Sequence, residues 1–507
     1  MLGAVDAVDA VLDELIARQL ADGRTAGIAV VATDTEGVLV EAYRGHADVA
    51  AGVPVSAGTV FEAGSISKVA TAVLAVQLWQ EGRLDLHALV RRYLPWLPAQ
   101  PYAHVTAHRL LSHTAGFALG SDVSPPSPYM ALAAVQPPPV PDAGFHYSDA
   151  GFQVMGLVIE AVTGRAYRDV LADGVLGPLG MADSFPAITD EIRPRVAVGY
   201  RGCPDDRPFH AGDGLAPAPW LAYPAADGSL ACTARDLAVF TRMLAARGRG
   251  ALTDKGFELL TTPVADAGDD DNVGYAVFLD EVYGYPRLIH GGDMVGYESW
   301  LQVDREYGLG VVTLTNGVAD SEPVARGLLE TLRAVRRGET PVVPPVEVPV
   351  LADYPGRYGG HVVDRADSVL RLDGTPLVHV RGDRFARYGD VYALTFGRAD
   401  DGRVVEICHG PDWWPLDGEA TPAMEPTVYC GQYRSYRPFD PTFRIVYRRG
   451  EHLMVHPAGR ESRLEPTGGP DTFALAGSLE VLRFDTVVDG RALRAVLSGC
   501  PFYRSMR

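Results

Sequence analysis

From Ser65 to Gln80 the chain carries apolar residues on every side of a helical projection, including Val69, Ala72, Val73, Leu74, Val76 and Leu78. A helix that is apolar all round has no face for water, so it must lie inside a core, here ending near Gly82. Any fold open to this chain has to wrap other elements around that helix. Yet the segment begins on Ser65 and holds Lys68 in its first turn. Of the 45 basic residues only Lys68 and Lys255 are lysines; the others are arginine. A lysine kept inside an apolar helix has a chemical reason, because a buried ammonium can lose its proton and a guanidinium cannot. Lys255, beside Gly256 in a polar stretch, reads as surface.

The elements that would surround this helix come from both sides of it. Val5, Val8, Leu12, Leu15 and Leu20 recur near helical period and predict an amphipathic helix ending by Gly23. Ile28 to Thr33 and Val38 to Tyr43 flank the turn Asp34-Thr35-Glu36-Gly37 and predict an antiparallel hairpin. Further strands are expected at Gly274 to Leu279, Trp300 to Val303 and Leu309 to Thr315, followed by a helix from Glu322 to Arg336. Together they predict one sheet built from both ends of the region.

With 507 residues the chain needs at least two cores. The Pro-rich stretch from Gly338 to Pro349 is suited to spacing two domains. Beyond it, Tyr354-Pro355-Gly356-Arg357-Tyr358 is echoed by Tyr429-Cys430-Gly431-Gln432-Tyr433. Gly374 to Val378 is echoed by Gly450 to Met454, and Asp401-Gly402-Arg403 by Asp489-Gly490-Arg491. Ordered echoes with short alternating strands and Gly turns predict two similar small antiparallel barrels. The expected division is residues 1–340, a linker at 341–349, and barrels at 350–422 and 423–507.

A formal net charge of −19 argues against non-specific binding to nucleic acid or an anionic membrane. No basic leader precedes the first apolar residues, and no long uncharged apolar run occurs, so a cytoplasmic chain is expected. Cys203, Cys232, Cys408, Cys430 and Cys500 are odd in number and scattered, which points to reduced thiols rather than disulfides or zinc. No metal or cofactor is implied; the expected partner is a small molecule or short peptide, with self-association open.

Ser65 and Lys68 are three residues apart and share one helical face, with the serine at the N-terminal end. Unpaired N–H groups and the helix dipole there favour an oxyanion and a lysine neutral enough to take the serine proton. The same spacing also describes a capping serine beside a lysine whose head reaches water. Other stretches bear on the choice: Phe61 to Lys68, Leu110-Leu111-Ser112-His113-Thr114-Ala115-Gly116, Tyr147-Ser148-Asp149-Ala150-Gly151, Ala231 to Leu237, His290-Gly291-Gly292, and Val303-Asp304 to Thr315-Asn316. In this order they resemble the superfamily of penicillin-binding proteins and serine β-lactamases, in the branch of esterases and D-aminopeptidases.

The resemblance implies an α+β fold, a β-lactamase/transpeptidase-like sandwich of antiparallel sheet and helices with a helical subdomain, followed here by two lipocalin-like barrels. It implies Ser65 as nucleophile, with Lys68 and Tyr147 moving its proton, and His290 polarising the site. Asp149 stands where the pattern has Asn; it either pairs with Lys68, receives a substrate ammonium, or caps the helix through Met155, Leu157 and Val158. Gly291 and Gly292 would let substrate backbone approach along an edge strand, and the Asp293 N–H would join that of Ser65 as oxyanion donor. Appended domains in that branch also suggest the segment Arg434 to Thr442 as a loop that restricts the site. The function so implied is cleavage of a small amide or peptide through an acyl-enzyme, with an esterase or acyl-transferase, and a non-catalytic receptor, as rivals.

Overall fold

The computed structural model describes residues 2–505 except 22, 101, 119–139, 204–212, 221–223, 269–270, 282, 344–349, 368, 388–389, 391, 400, 410–411, 418–426, 436–441, 449 and 457–460. Half of the Pro-rich segment, 344–349, and most of the Arg434 to Thr442 loop therefore lie outside the described residues. The chain divides into two compact units, 1–202 with 215–344, and 203–214 with 345–507.

In the first unit an antiparallel sheet of nine strands runs through the middle. Its strands are β1 (Thr25–Thr33), β2 (Val38–Asp48), β3 (Val53–Pro54), β4 (Ala265–Gly268), β5 (Asp271–Val273), β6 (Phe278–Asp280), β7 (Arg287–Met294), β8 (Tyr297–Asp304) and β9 (Leu309–Gly317). Their order is β3-β2-β1-β9-β8-β7-β6-β5-β4, so the N-terminal hairpin lies against the last strand of the unit. The centre of the join is β1 on β9, with Val30 opposite Thr313 and Val31 opposite Val312. Helices α1 (Leu2–Ala21) and, near the end of the unit, Glu322–Arg336 cover one face through Leu12, Ile16, Leu328 and Leu329, packed on Ile28, Val30 and Val311.

Helix α2 (Ile66–Gln80) is buried along its length, as its all-round apolar sequence requires, and ends at Gly82 with φ +70°. Helix α3 (Asp149–Thr163) packs beside it, and α4 (Ala234–Ala245) lies against β1 and β9 on the sheet face opposite α1. The strand expected at Gly274 to Leu279 is shorter, Phe278–Asp280. Its first half is diverted: Ala276 adopts φ +55° and its N–H bonds the Leu111 carbonyl at 2.9 Å.

The second unit contains two antiparallel meanders of eight strands each. The first runs from Gly356–Tyr358 to Asp412–Pro415 and its ends meet at a Tyr358–Leu416 bridge. The second runs from Gly431–Arg434 to Cys500–Arg504 and closes through Tyr433 on Arg504. The sequence echoes occupy matching places. Tyr358 donates from its hydroxyl to the Tyr354 carbonyl at 2.9 Å, and Tyr433 does the same to Tyr429 at 2.8 Å. Gly374 and Gly450 turn hairpins at φ +80° and +84°, values that favour glycine. Among the described residues no helix is long and apolar enough to cross a membrane.

Candidate active site

A two-residue strand, Phe61–Glu62, leads through Ala63 and Gly64 into α2. Gly64 takes φ +51°, and the turn delivers Ser65 to the start of the helix. The Ser65 hydroxyl makes no capping hydrogen bond. It accepts one from Lys68 Nζ at 2.9 Å instead. Of the two meanings of a Ser-x-x-Lys spacing, helix capping is thus absent and a serine–lysine contact is present.

Lys68 is fully buried, and Nζ has further partners. It donates to the Asp227 carbonyl at 2.7 Å and meets Asp149 Oδ1 at 2.5 Å. The Asp227 loop is clasped to α2 where Leu230 N–H donates to Ser67 Oγ at 2.9 Å and Thr71 Oγ1 donates to the Ala226 carbonyl at 2.7 Å. Burial works to deprotonate Lys68, but the carboxylate of Asp149 above all, with Tyr147 and Asp227 beside it, outweighs burial and raises its pKa. The resting lysine is an ammonium.

Asp149 lies in the first turn of α3, and of the partners left open by the sequence Lys68 is the one it touches. It does not cap the helix: Ser148 does, its hydroxyl accepting from Gly151 N–H at 3.0 Å. The shorter serine side chain sits in extended backbone just outside the helix, where an acceptor can turn back on the free N–H groups. Two residues before Asp149, Tyr147 hydrogen-bonds Ser65 and Lys68, and its ring centroid lies 4.9 Å from Nζ. Burial raises the pKa of its phenol; Lys68 pulls the other way.

His113, from the Leu110 to Gly116 stretch, stacks on the Tyr147 ring with centroids 4.4 Å apart. Its Nδ1 accepts the Ser148 N–H at 3.0 Å. Burial and the charge of Lys68 hold its pKa well below the ordinary histidine value, so it is a neutral acceptor. Neither this role nor that of Asp227 was read from the sequence.

His290 lies in β7, which is not an edge strand throughout. It is paired with β6 over Arg287 to Ile289 and with β8 along its length, so it is open on one side only from His290 onward. β6 begins too late in the chain to cover Gly291 to Asp293, since its first residue, Phe278, already lies opposite Ile289. His290 is buried, with a pKa lowered to about 3 by burial and by Lys68. Its Nδ1 meets the Gly291 carbonyl at 2.5 Å and therefore carries the proton, leaving Nε2 as a lone-pair acceptor.

The glycines set how closely β7 approaches the serine turn. A Cβ on Gly292 would lie 2.1 Å from the Ala63 carbonyl oxygen and 2.3 Å from Ser299 Oγ. One on Gly64 would lie 2.8 Å from the Asp293 nitrogen. The Asp293 amide is thereby held against the residue before Ser65, and the start of α2 lies alongside. Gly291 has the Trp300 ring at 2.9 Å from its missing Cβ. All eight residues named from the sequence for the site, Ser65, Lys68, Tyr147, Asp149, His290, Gly291, Gly292 and Asp293, lie on these converging segments.

A central antiparallel sheet with a serine and a lysine at the head of a buried helix defines a β-lactamase/transpeptidase-like protein. The family profile described as Beta-lactamase matches residues 12–334. A curated relative, penicillin-binding protein 4 of Amycolatopsis lactamdurans, is 32% identical over 363 residues, covering 66% of this chain and 93% of its own. The chain belongs to the β-lactamase family. In fold it is similar to the octameric penicillin-binding protein homologue from Pyrococcus abyssi, at TM-score 0.62 and 21% identity over 89% of this chain and 98% of that one. It is also similar to the D-amino acid amidase from Ochrobactrum anthropi SV3, at TM-score 0.55 and 23% identity over 66% of this chain and 99% of that one.

Proposed function

We propose that this chain is a serine hydrolase that cleaves a small amide or short peptide, D-aminopeptidase-like, through an acyl-enzyme on Ser65. The observation that carries this reading is the Ser65 hydroxyl, unused as a cap and held by Lys68 Nζ at 2.9 Å with Tyr147 bonded to both. The substrate carbonyl lies between Ser65 Oγ and the N–H groups of Ser65 and Asp293. Its backbone follows the open side of Gly291 and Gly292. Ser65 attacks, its proton moves into the Lys68–Tyr147 pair, and that pair returns a proton to the leaving amine. His290 offers Nε2 to a substrate donor. Water then releases the acyl group.

The likeness to a D-amino acid amidase supports an amide, and a similar likeness to EstCE1, a hydrolase with promiscuous acyltransferase activity, supports acyl transfer as the second reading. We assign the chemistry to residues 1–340 and treat 350–422 and 423–507 as appended domains joined by 341–349.

The test combines a fluorophosphonate probe with a library of D- and L-aminoacyl amides and esters. The probe should label Ser65, and Ser65→Ala should lose both the label and turnover by at least about a thousandfold. Turnover that persists in Ser65→Ala would refute the nucleophile. Acyl products formed on an added amine or alcohol in preference to water would make the chain a transferase.

A further inference from the structure

We propose that Asp149 is a proton-holding partner of Lys68: it takes a proton from Nζ so that Lys68 can accept the proton of Ser65. The proposal rests on the serine reading given above. It follows from the number of acceptors around one nitrogen. An ammonium has three protons and no lone pair. Lys68 Nζ faces Ser65 Oγ at 2.9 Å, the Asp227 carbonyl at 2.7 Å and Asp149 Oδ1 at 2.5 Å. All three protons are engaged, one of them pointing at the atom whose proton Lys68 must receive. Lys68 has to lose a proton before it can act as base.

These neighbours, and Tyr147, which also bonds Lys68, differ in what they can do with that proton. A serine hydroxyl, a peptide carbonyl and a tyrosine phenol that keeps its own proton do not take up another, whereas a carboxylate does. The Asp227 carboxyl is turned elsewhere, its Oδ2 accepting from Gln153 Nε2 at 3.3 Å, while its main chain faces Lys68. Asp149 alone among the described residues presents a carboxylate oxygen to Nζ. The other ionisable groups around the pair are Tyr147, Asp227, His113 and His290, and both histidines are held neutral.

The step balances. One Nζ proton passes to Asp149 Oδ1, and the lone pair left on Nζ takes the Ser65 proton. As that proton leaves, Oγ bonds to the substrate carbonyl carbon and the carbonyl π pair moves onto oxygen. Net charge is zero before, as ammonium and carboxylate, and zero after, as ammonium, carboxylic acid and oxyanion. When the intermediate collapses the leaving amine takes a proton from Lys68, and Asp149 returns its own to Nζ. An asparagine at 149 holds the lysine in place but stores no proton, so Lys68 would have to lose its proton to solvent first.

The readout is the rate of Ser65 labelling by the fluorophosphonate against pH. Since the Lys68–Asp149 pair keeps its proton count, the unaltered chain should give a rate that is flat from about pH 6 to about pH 9. Asp149→Asn should slow labelling by about ten- to a hundredfold near pH 7 and climb roughly tenfold per pH unit toward alkali, as the free amine forms. Asp149→Glu should restore the flat profile. A uniformly slower but flat Asp149→Asn profile would reduce Asp149 to a structural contact and overturn the proposal. So would a tenfold rise per pH unit in the unaltered chain, a result that needs no variant to fold. If the intact chain is never labelled at Ser65, the serine reading itself falls.

Discussion

His113 shows how much of this site depends on a residue that does no chemistry. It fixes Tyr147 by stacking and fixes the start of α3 by accepting the Ser148 N–H. His113→Phe keeps an aromatic face but leaves that buried N–H without an acceptor, a loss of about 1–3 kcal/mol. We expect a lower Tm together with Ser65 labelling slowed by about tenfold at every pH, since a histidine held neutral has no titration to remove. A change confined to one part of the pH range would show that His113 ionises. At this scale the legible residues were those whose identity is chemically constrained. Ser65 and Lys68 stood out because lysine is otherwise nearly absent, and Tyr147 and His290 through ordered motifs. Asp227 left no trace because the atom that touches Nζ is a main-chain carbonyl that any residue supplies. Asp149 was visible as a departure, but spacing along a chain does not say which of several partners a carboxylate meets.

Among the elements, β7 and α2 form one device, a strand pressed against the mouth of a helix. Gly292→Ala forces a methyl onto the Ala63 carbonyl and Ser299 Oγ, and main chain does not rotate away. We expect a cost of about 1–3 kcal/mol and a loss of Ser65 labelling of at least about tenfold. Gly291→Ala meets the Trp300 ring, which has a rotatable side chain, and should be milder; equal effects in the two variants would count against a close strand–helix fit. Helices α1, α2 and Glu322–Arg336 and the N-terminal hairpin were plain in the sequence because their apolar periods are long, whereas α4 was met there only as a motif. The shortened β6 was not plain, because a hydrogen bond from Ala276 to Leu111 diverts a segment whose residues suit a strand. The partial edge of β7 was equally hidden, since where a neighbour stops is set by that neighbour.

For the molecule as a whole, the duplication was legible because its repeating signals, the paired tyrosines and turn glycines, are set by local geometry that each copy must satisfy again. The enclosing of Lys68 has a practical consequence. Lys255 is exposed, Lys68 is fully buried, and no lysine occurs after residue 255. An amine-selective acylating reagent should therefore modify one lysine side chain of the native chain and a second only when the first unit opens. A protected Lys68 in denaturant, or a modified one in the native chain, would contradict the burial. The barrels contribute no lysine signal at all, so the second modification reports on the reaction centre's own enclosure and on nothing else in the molecule.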